Sequence, residues 1–381
     1  MTKHLTVLTL ASLVFAACDS NTSPTDAGST ALDPSVRAEQ RGEGGGPGAI
    51  YTITNEAGGN AVAVFARAAD GSLTAAGTFA TGGTGTGAGL GSQGAIAVSQ
   101  GGQWLLAVNA GSNDVSVFRV RPAGLALASR TPSGGAQPIS LTVSGNVVYV
   151  LNAGGTGNIS GFVLDQDGGL APIAGSTRSL SGPDVQPAQV SFTPDGRQLL
   201  VTEKATNLLD FFAVDARGVA GTRTSTSSAG GTPFGFAFGP RNLLFVTEAA
   251  GAGSASTYRL AEDGGARLIS GAIATNQGAP CWAVVTNDGR FGYTGNGAGS
   301  VSGFAIAPNG TIRLLDADGA TAVVENGVND IALSRNSRYF YVLQVGPAPA
   351  IHAYRIDDDG HLRELGSVSG LPASTRGLVA E

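Results

Sequence analysis

Seven times along this chain a short apolar strand pattern ends on a polar amide or carboxylate, and an aromatic follows eight to ten residues later. The polar ends are Asn55, Asn109, Asn152, Glu203, Glu248, Asn296 and Gln344. The aromatics are Phe65, Phe118, Phe162, Phe212, Tyr258, Phe304 and Tyr354. The polar ends recur at intervals of 43 to 54 residues, and each unit reads as four strands joined by Gly, Asn or Asp turns. Four strands at that period are the mark of a β-propeller, so the chain is expected to be all-β, a ring of seven four-stranded blades. One ring at each repeated strand position fills the wedge between adjacent sheets, which assigns the seven aromatics to the core. The first unit opens on its second strand, Tyr51-Thr52-Ile53-Thr54, whereas the chain ends on a spare first strand, Arg376-Gly377-Leu378-Val379-Ala380. The C-terminal strand should therefore complete the first blade, leaving no open end and implying a monomer.

Composition agrees with a turn-dense globular protein. Hydrophobic residues make up 42% and charged residues 13%, and the 59 glycines supply the positive φ that tight turns need. The net charge is −6 and the only lysines are Lys3 and Lys204, so nothing here neutralises a phosphate backbone, and nucleic acid is excluded as a partner. Residues 1–17 join Lys3 to an apolar run too short to span a bilayer, the pattern of a signal peptide. That run ends Phe15-Ala16-Ala17-Cys18, which resembles a bacterial lipobox. The resemblance implies export and a lipid on Cys18, anchoring the protein to a bacterial membrane on its periplasmic or outer face. Residues 18–48 carry Ser, Thr, Pro, Asp and Gly without apolar periodicity and read as a flexible tether. The propeller is then expected over residues 49–381.

Three segments carry a family likeness: Val190-Ser191-Phe192-Thr193-Pro194-Asp195-Gly196-Arg197-Gln198-Leu199-Leu200-Val201, Asn287-Asp288-Gly289-Arg290-Phe291-Gly292-Tyr293, and Val301-Ser302-Gly303-Phe304. Together they resemble the lactonase-family propellers, which include bacterial phosphogluconolactonase and fungal carboxymuconate cyclase. The resemblance implies His and Arg side chains on the innermost strands and a Glu at the end of a second strand. Here Gln186-Pro187-Ala188 stands where the family has His-x-His, Pro233-Phe234-Gly235 where it has Pro-Arg-His, and Gly297 where an Arg follows the sixth polar end. Glu248 matches the family's Glu and is the one catalytic candidate. Opening a lactone needs a group that transfers protons and donors that hold the developing oxyanion, and the usual His and Arg for those tasks are replaced.

The starts of the inner strands, with Gln93, Gln137, Gln186, Gln189, Phe234, Trp282, Asn329, Asp330 and Arg376, are expected around the axial mouth. From this set Gln186, Gln189, Phe234, Trp282, Asn329 and Arg376 are the candidates for holding a small polar ligand, through amide hydrogen bonds, stacking and one guanidinium. Glu203 and Glu248 occupy equivalent places in adjacent blades. Two such carboxylates either hold a metal or accept hydrogen bonds from loop N–H groups, as Asn does elsewhere; the second needs nothing beyond the fold. No zinc-ligand spacing, phosphate loop or dinucleotide fingerprint occurs, so neither metal nor cofactor is implied. Two functions remain: a cell-envelope binding or scaffold protein with a degenerate lactonase site, partnered by a small polar ligand or an envelope protein, and a lactone hydrolase or cycloisomerase using Glu248.

Overall fold

The computed structural model describes residues 47–261 and 264–381. The expected signal segment, Cys18 and nearly all of the tether lie outside the described residues. The described elements are β-strands, grouped into seven separate antiparallel sheets. The inner strands Pro138–Ser144, Pro187–Phe192, Pro233–Gly239, Pro280–Val285 and Val328–Leu333 open blades 3 to 7, and the shorter Ile96–Val98 opens blade 2. Blade 1 runs Leu73–Ala80, Ala61–Arg67, Gly48–Ile53 and then, innermost, Arg376–Ala380. Each inner strand packs on the next around the ring, so the propeller is closed by its C-terminal strand, as the sequence pattern requires.

Position in the blade explains burial. Second strands such as Leu243–Glu248 and Tyr339–Gln344 are buried at every residue, because both of their faces meet a neighbouring sheet. Fourth strands such as Ala220–Ser227 alternate with exposed Thr and Ser, because only one face meets a neighbour. In blades 3 and 6 this outer position is divided between two short strands, Leu170–Pro172 with Arg178–Ser179 and Ile312–Leu314 with Ala322–Val323. All seven repeated aromatics are buried. Each full burial of such a ring contributes roughly 1.5–3 kcal/mol.

The Pro-Asp-Gly-Arg turn has a local cause. Asp195 Oδ1 accepts the Thr193 hydroxyl at 2.7 Å and the Arg197 N–H at 3.1 Å while Gly196 takes φ +71°. Asp288 repeats this with Thr286 and Arg290, and Asn336 does so with Ser334 and Arg338 in blade 7. A Ser or Thr two residues before Asp or Asn is thus the wider signature of the first-to-second-strand hairpin. At the hairpins between third and fourth strands, glycine carbonyls staple blades together. Tyr149 Oη donates to Gly218 O, Tyr293 Oη to Gly360 O and Tyr341 Oη to Gly71 O, each in the following blade.

Candidate functional site

Inner strands start, and second strands end, on the same face: Pro187 pairs with Glu203, Pro233 with Glu248 and Pro280 with Asn296. In blades 3 to 7 and at the closing strand of blade 1 a register shift sits at this start, a bulge that re-aims the first residues toward the axis. The residue before Pro138, Pro187, Pro233 and Pro280 has positive φ (Gln137, Gln186, Thr232 and Ala279), a conformation repeated around the ring and hence architectural.

The axis at this face is filled by the chain itself. Residues 81–95 join blade 1 to blade 2, a longer connection than the four to seven residues at the other six junctions. This strap leaves the wall and crosses the ring. Gln93 Nε2 donates to Ala283 O at 2.9 Å and its Oε1 accepts Ala283 N–H at 3.0 Å, so a blade 2 amide pairs with the backbone of blade 6 opposite. Gln93 N–H also reaches Ala188 O of blade 4 at 3.1 Å. Trp282 Nε1 donates to Ser92 O at 3.0 Å, and Lys204 Nζ donates to Gly91 O at 2.7 Å while lying 4.8 Å from the Phe234 ring centre. Gly235 is glycine for this reason: a Cβ there would strike Gln93 Oε1 and the Cys281 carbonyl.

The structure brings some of the candidate ligand residues together and separates others. Phe234 and Trp282 are both buried and meet edge to face with centroids 5.6 Å apart beneath the strap. Gln189 is buried and spends both amide atoms on Phe236 of the next blade, donating at 3.2 Å and accepting at 2.8 Å. Gln186 is exposed on the rim, where its carbonyl accepts Lys204 N–H. Asn329 is buried on the blade 7 inner strand. Arg376 is buried with Nη1 on Ala373 O at 3.1 Å and Thr375 O at 2.7 Å, at the seam that closes the ring. Asp330 serves the same seam: its oxygens accept Ile331 N–H at 2.8 Å and Leu378 N–H at 2.9 Å, and burial pushes its carboxyl well above the usual range.

Glu248 is fully buried. Its Oε1 accepts the Ser228 hydroxyl at 3.0 Å and Gly230 N–H at 2.9 Å, and its Oε2 accepts the Ser254 hydroxyl at 2.5 Å. Glu203 holds the equivalent loop through Ser181 N–H at 2.9 Å, the Ser181 hydroxyl and the Thr206 hydroxyl at 2.7 Å. Both carboxylates thus clamp the connection that leads into their own blade, as Asn152 does by donating to Ser133 O at 3.2 Å, whereas Asn55 holds the strap that leaves its blade through Thr86 and Ala88. Behind Glu203 lies a third carboxyl that sequence reasoning passed over. Asp210 is fully buried, accepts the Ser225 hydroxyl at 2.6 Å and faces Arg223 Nη1 at 3.3 Å. Burial, reinforced by Glu203, raises its pKa to about 7. Among the described residues no group of three or more His, Cys, Asp or Glu is arranged to hold a metal. His352 sits against Gln344 at 3.1 Å on a third strand, and His361 lies in a turn between Asp316 and Asp359, both away from the axis.

Residues 48–183 match the family described as Lactonase, 7-bladed beta-propeller. No curated protein matches the chain by sequence. Solved structures match its fold over most of its length. A candidate 6-phosphogluconolactonase of Bacteroides fragilis is 20% identical, with a TM-score of 0.69 over 89% of this chain and 99% of that one. The Pseudomonas aeruginosa periplasmic gluconolactonase is 18% identical, with a TM-score of 0.68 over 87% and 98%. A Lactobacillus plantarum protein is 16% identical, with a TM-score of 0.70 over 87% and 98%. The family resemblance is thus borne out over residues 48–183, a stretch that does not include the three segments in which it was first seen, and the seven-bladed architecture is complete among the described residues.

Proposed function

We propose that this protein is an envelope-located binding or scaffold propeller in which packing has replaced a lactonase-type site. The observation that carries this reading is Gln93 on the axis, its amide paired in both directions with Ala283. Lactone opening requires a proton-transfer group and oxyanion donors around a reachable carbonyl. On this axis the space is taken by Gln93, Phe234 and Trp282, and both oxygens of Glu248 are engaged by their own loop. A small polar ligand or an envelope protein would meet instead the rim, where Gln137 and Gln186 are exposed.

The family match over residues 48–183 favours a second reading, lactone hydrolysis or cycloisomerisation with Glu248 as the retained carboxylate. That reading requires the strap to leave the axis. Hydrolysis of phosphogluconolactone and simple aliphatic lactones, compared between the wild type and Glu248→Gln, separates the two. The expected result is no turnover above buffer in either protein; turnover present in the wild type and lost in the variant would establish the lactonase instead.

The Phe15-Ala16-Ala17-Cys18 run supports a lipid anchor on Cys18 and an exported location. One of the structural neighbours is itself called periplasmic. Metabolic labelling with palmitate should mark the wild type and not Cys18→Ser, and absence of label from both would remove the anchor.

A further inference from the structure

At the opposite end of the inner strands, on the face of the first-to-second-strand hairpins, a cavity of about 540 Å³ opens beside blade 6. It shares no residue with the strap or the axis, so binding there is independent of whatever the axial face does. The floor is apolar: Phe291 and Ile306 are buried and Leu315 is half-buried. Arg290 lies over the Phe291 ring at 4.9 Å and donates to Asp358 O at 2.7 Å.

The charges around the rim fall into two groups. Asp288 is turned into its own hairpin by Thr286 and the Arg290 N–H, with Arg290 Nη1 4.0 Å from its other oxygen. Asp359 is answered by His361, whose Nδ1 is 3.1 Å from Oδ2 and whose N–H bonds Oδ1. Both acids are therefore tied to side chains of their own turns and not to Arg241 or Arg313. Each of these two arginines is exposed, lines the cavity from a different blade or strand, and has no hydrogen-bonding or ionic partner for its guanidinium among the described residues.

We propose that this cavity binds a small monocarboxylate with a compact apolar body. A guanidinium fork matches a carboxylate in two parallel hydrogen bonds, and two unengaged forks over an apolar floor define a ligand with one anionic end and one hydrocarbon end. The volume lies within the range of small-molecule sites, roughly 300–1,000 Å³. Asp288 and Asp359 on the rim disfavour a doubly charged phosphate, which sets the ligand's charge at one.

Octanoate is the probe, titrated into the 15N-labelled full chain with the amides of Gly289, Arg290 and Asp359 as reporters. Saturable shifts are expected at about millimolar concentration, the affinity open to a ligand of about ten heavy atoms. Arg241→Gln with Arg313→Gln should weaken binding at least about tenfold with an unchanged melting temperature, because both side chains are exposed. Arg121→Gln, an exposed arginine on blade 2, should leave it unchanged. Octanol should fail to saturate, which shows that the charge is needed. Any of three results would overturn the proposal: no saturation at tens of millimolar octanoate, equal binding by the double variant, or inorganic phosphate binding as tightly as octanoate.

Discussion

At Asp210, blade 4 departs from its neighbours. The corresponding third-strand positions in blades 2, 3, 5 and 6 carry Ser116, Ser160, Ser256 and Ser302, and in blades 2 and 6 the serine accepts a hydrogen bond from the Asn that ends the second strand. Blade 4 sets a carboxyl against a carboxylate instead, and two such groups in a buried site favour one shared proton. Asp210 is raised from 3.8 to about 7. A carboxyl raised in the folded state contributes stability that is complete below about pH 3.8 and is lost as pH rises through about 7. In Asp210→Asn the amide can donate to Glu203 and accept from Ser225, so the melting temperature should fall less between pH 5 and 8 than in the wild type. Parallel pH profiles for the two proteins would rule the shared proton out. Glu203 and Glu248 were legible in the sequence as members of a repeated set. Asp210 was legible in principle, seven residues on, where other units have Ser. The Gln93 pairing was not, since its partner lies 190 residues away and only the closed ring brings the two together.

Among the elements, the periodic ones were the easiest to read. Six of the seven polar ends are the last residues of their second strands, and Asn55 follows its strand by two. The alternation of apolar and polar residues fixes each strand's faces, and the hairpin glycines fix its limits, so these elements follow from local chemistry. The bulges at the inner-strand starts do not, because a register shift is a relation between two strands and leaves no mark in either alone. They decide which candidate ligand residues reach the axis and which serve the seams, and for that reason Gln189, Asp330 and Arg376 proved to be bound to neighbouring backbone. The closing strand carries much of the ring's continuity: Arg376–Ala380 pairs with Gly48–Ile53, Thr52 Oγ1 donates to Arg376 O, and Asp330 accepts Leu378 N–H. Deleting residues 376–381 removes these and leaves the Asp330 carboxyl without its inter-blade donor. The melting temperature should fall by at least about 5 °C, well beyond the roughly 2–4 °C that 1 kcal/mol shifts a domain of 150–250 residues. An unchanged value would show that blade 1 holds without it.

Over the whole molecule, the ring places two ends of contrasting character on one scaffold: an axial face crossed by the strap and an opposite face with an open, arginine-rimmed cavity. The seven-bladed fold was legible because it is a sum of repeats. The chemistry was not, because fold alone does not carry function, and departures from the repeat such as Gln93 and Arg313 are visible only once the repeated positions have been superposed. The seam in blade 1 also sets an order of events. During synthesis the first three strands of that sheet emerge early, yet the strand that covers their inner edge emerges only after the other six blades, and contacts separated by 324 residues form only then. The first blade therefore stays unfinished until the six others have been made, so the ring is closed by its oldest and newest segments meeting in one sheet.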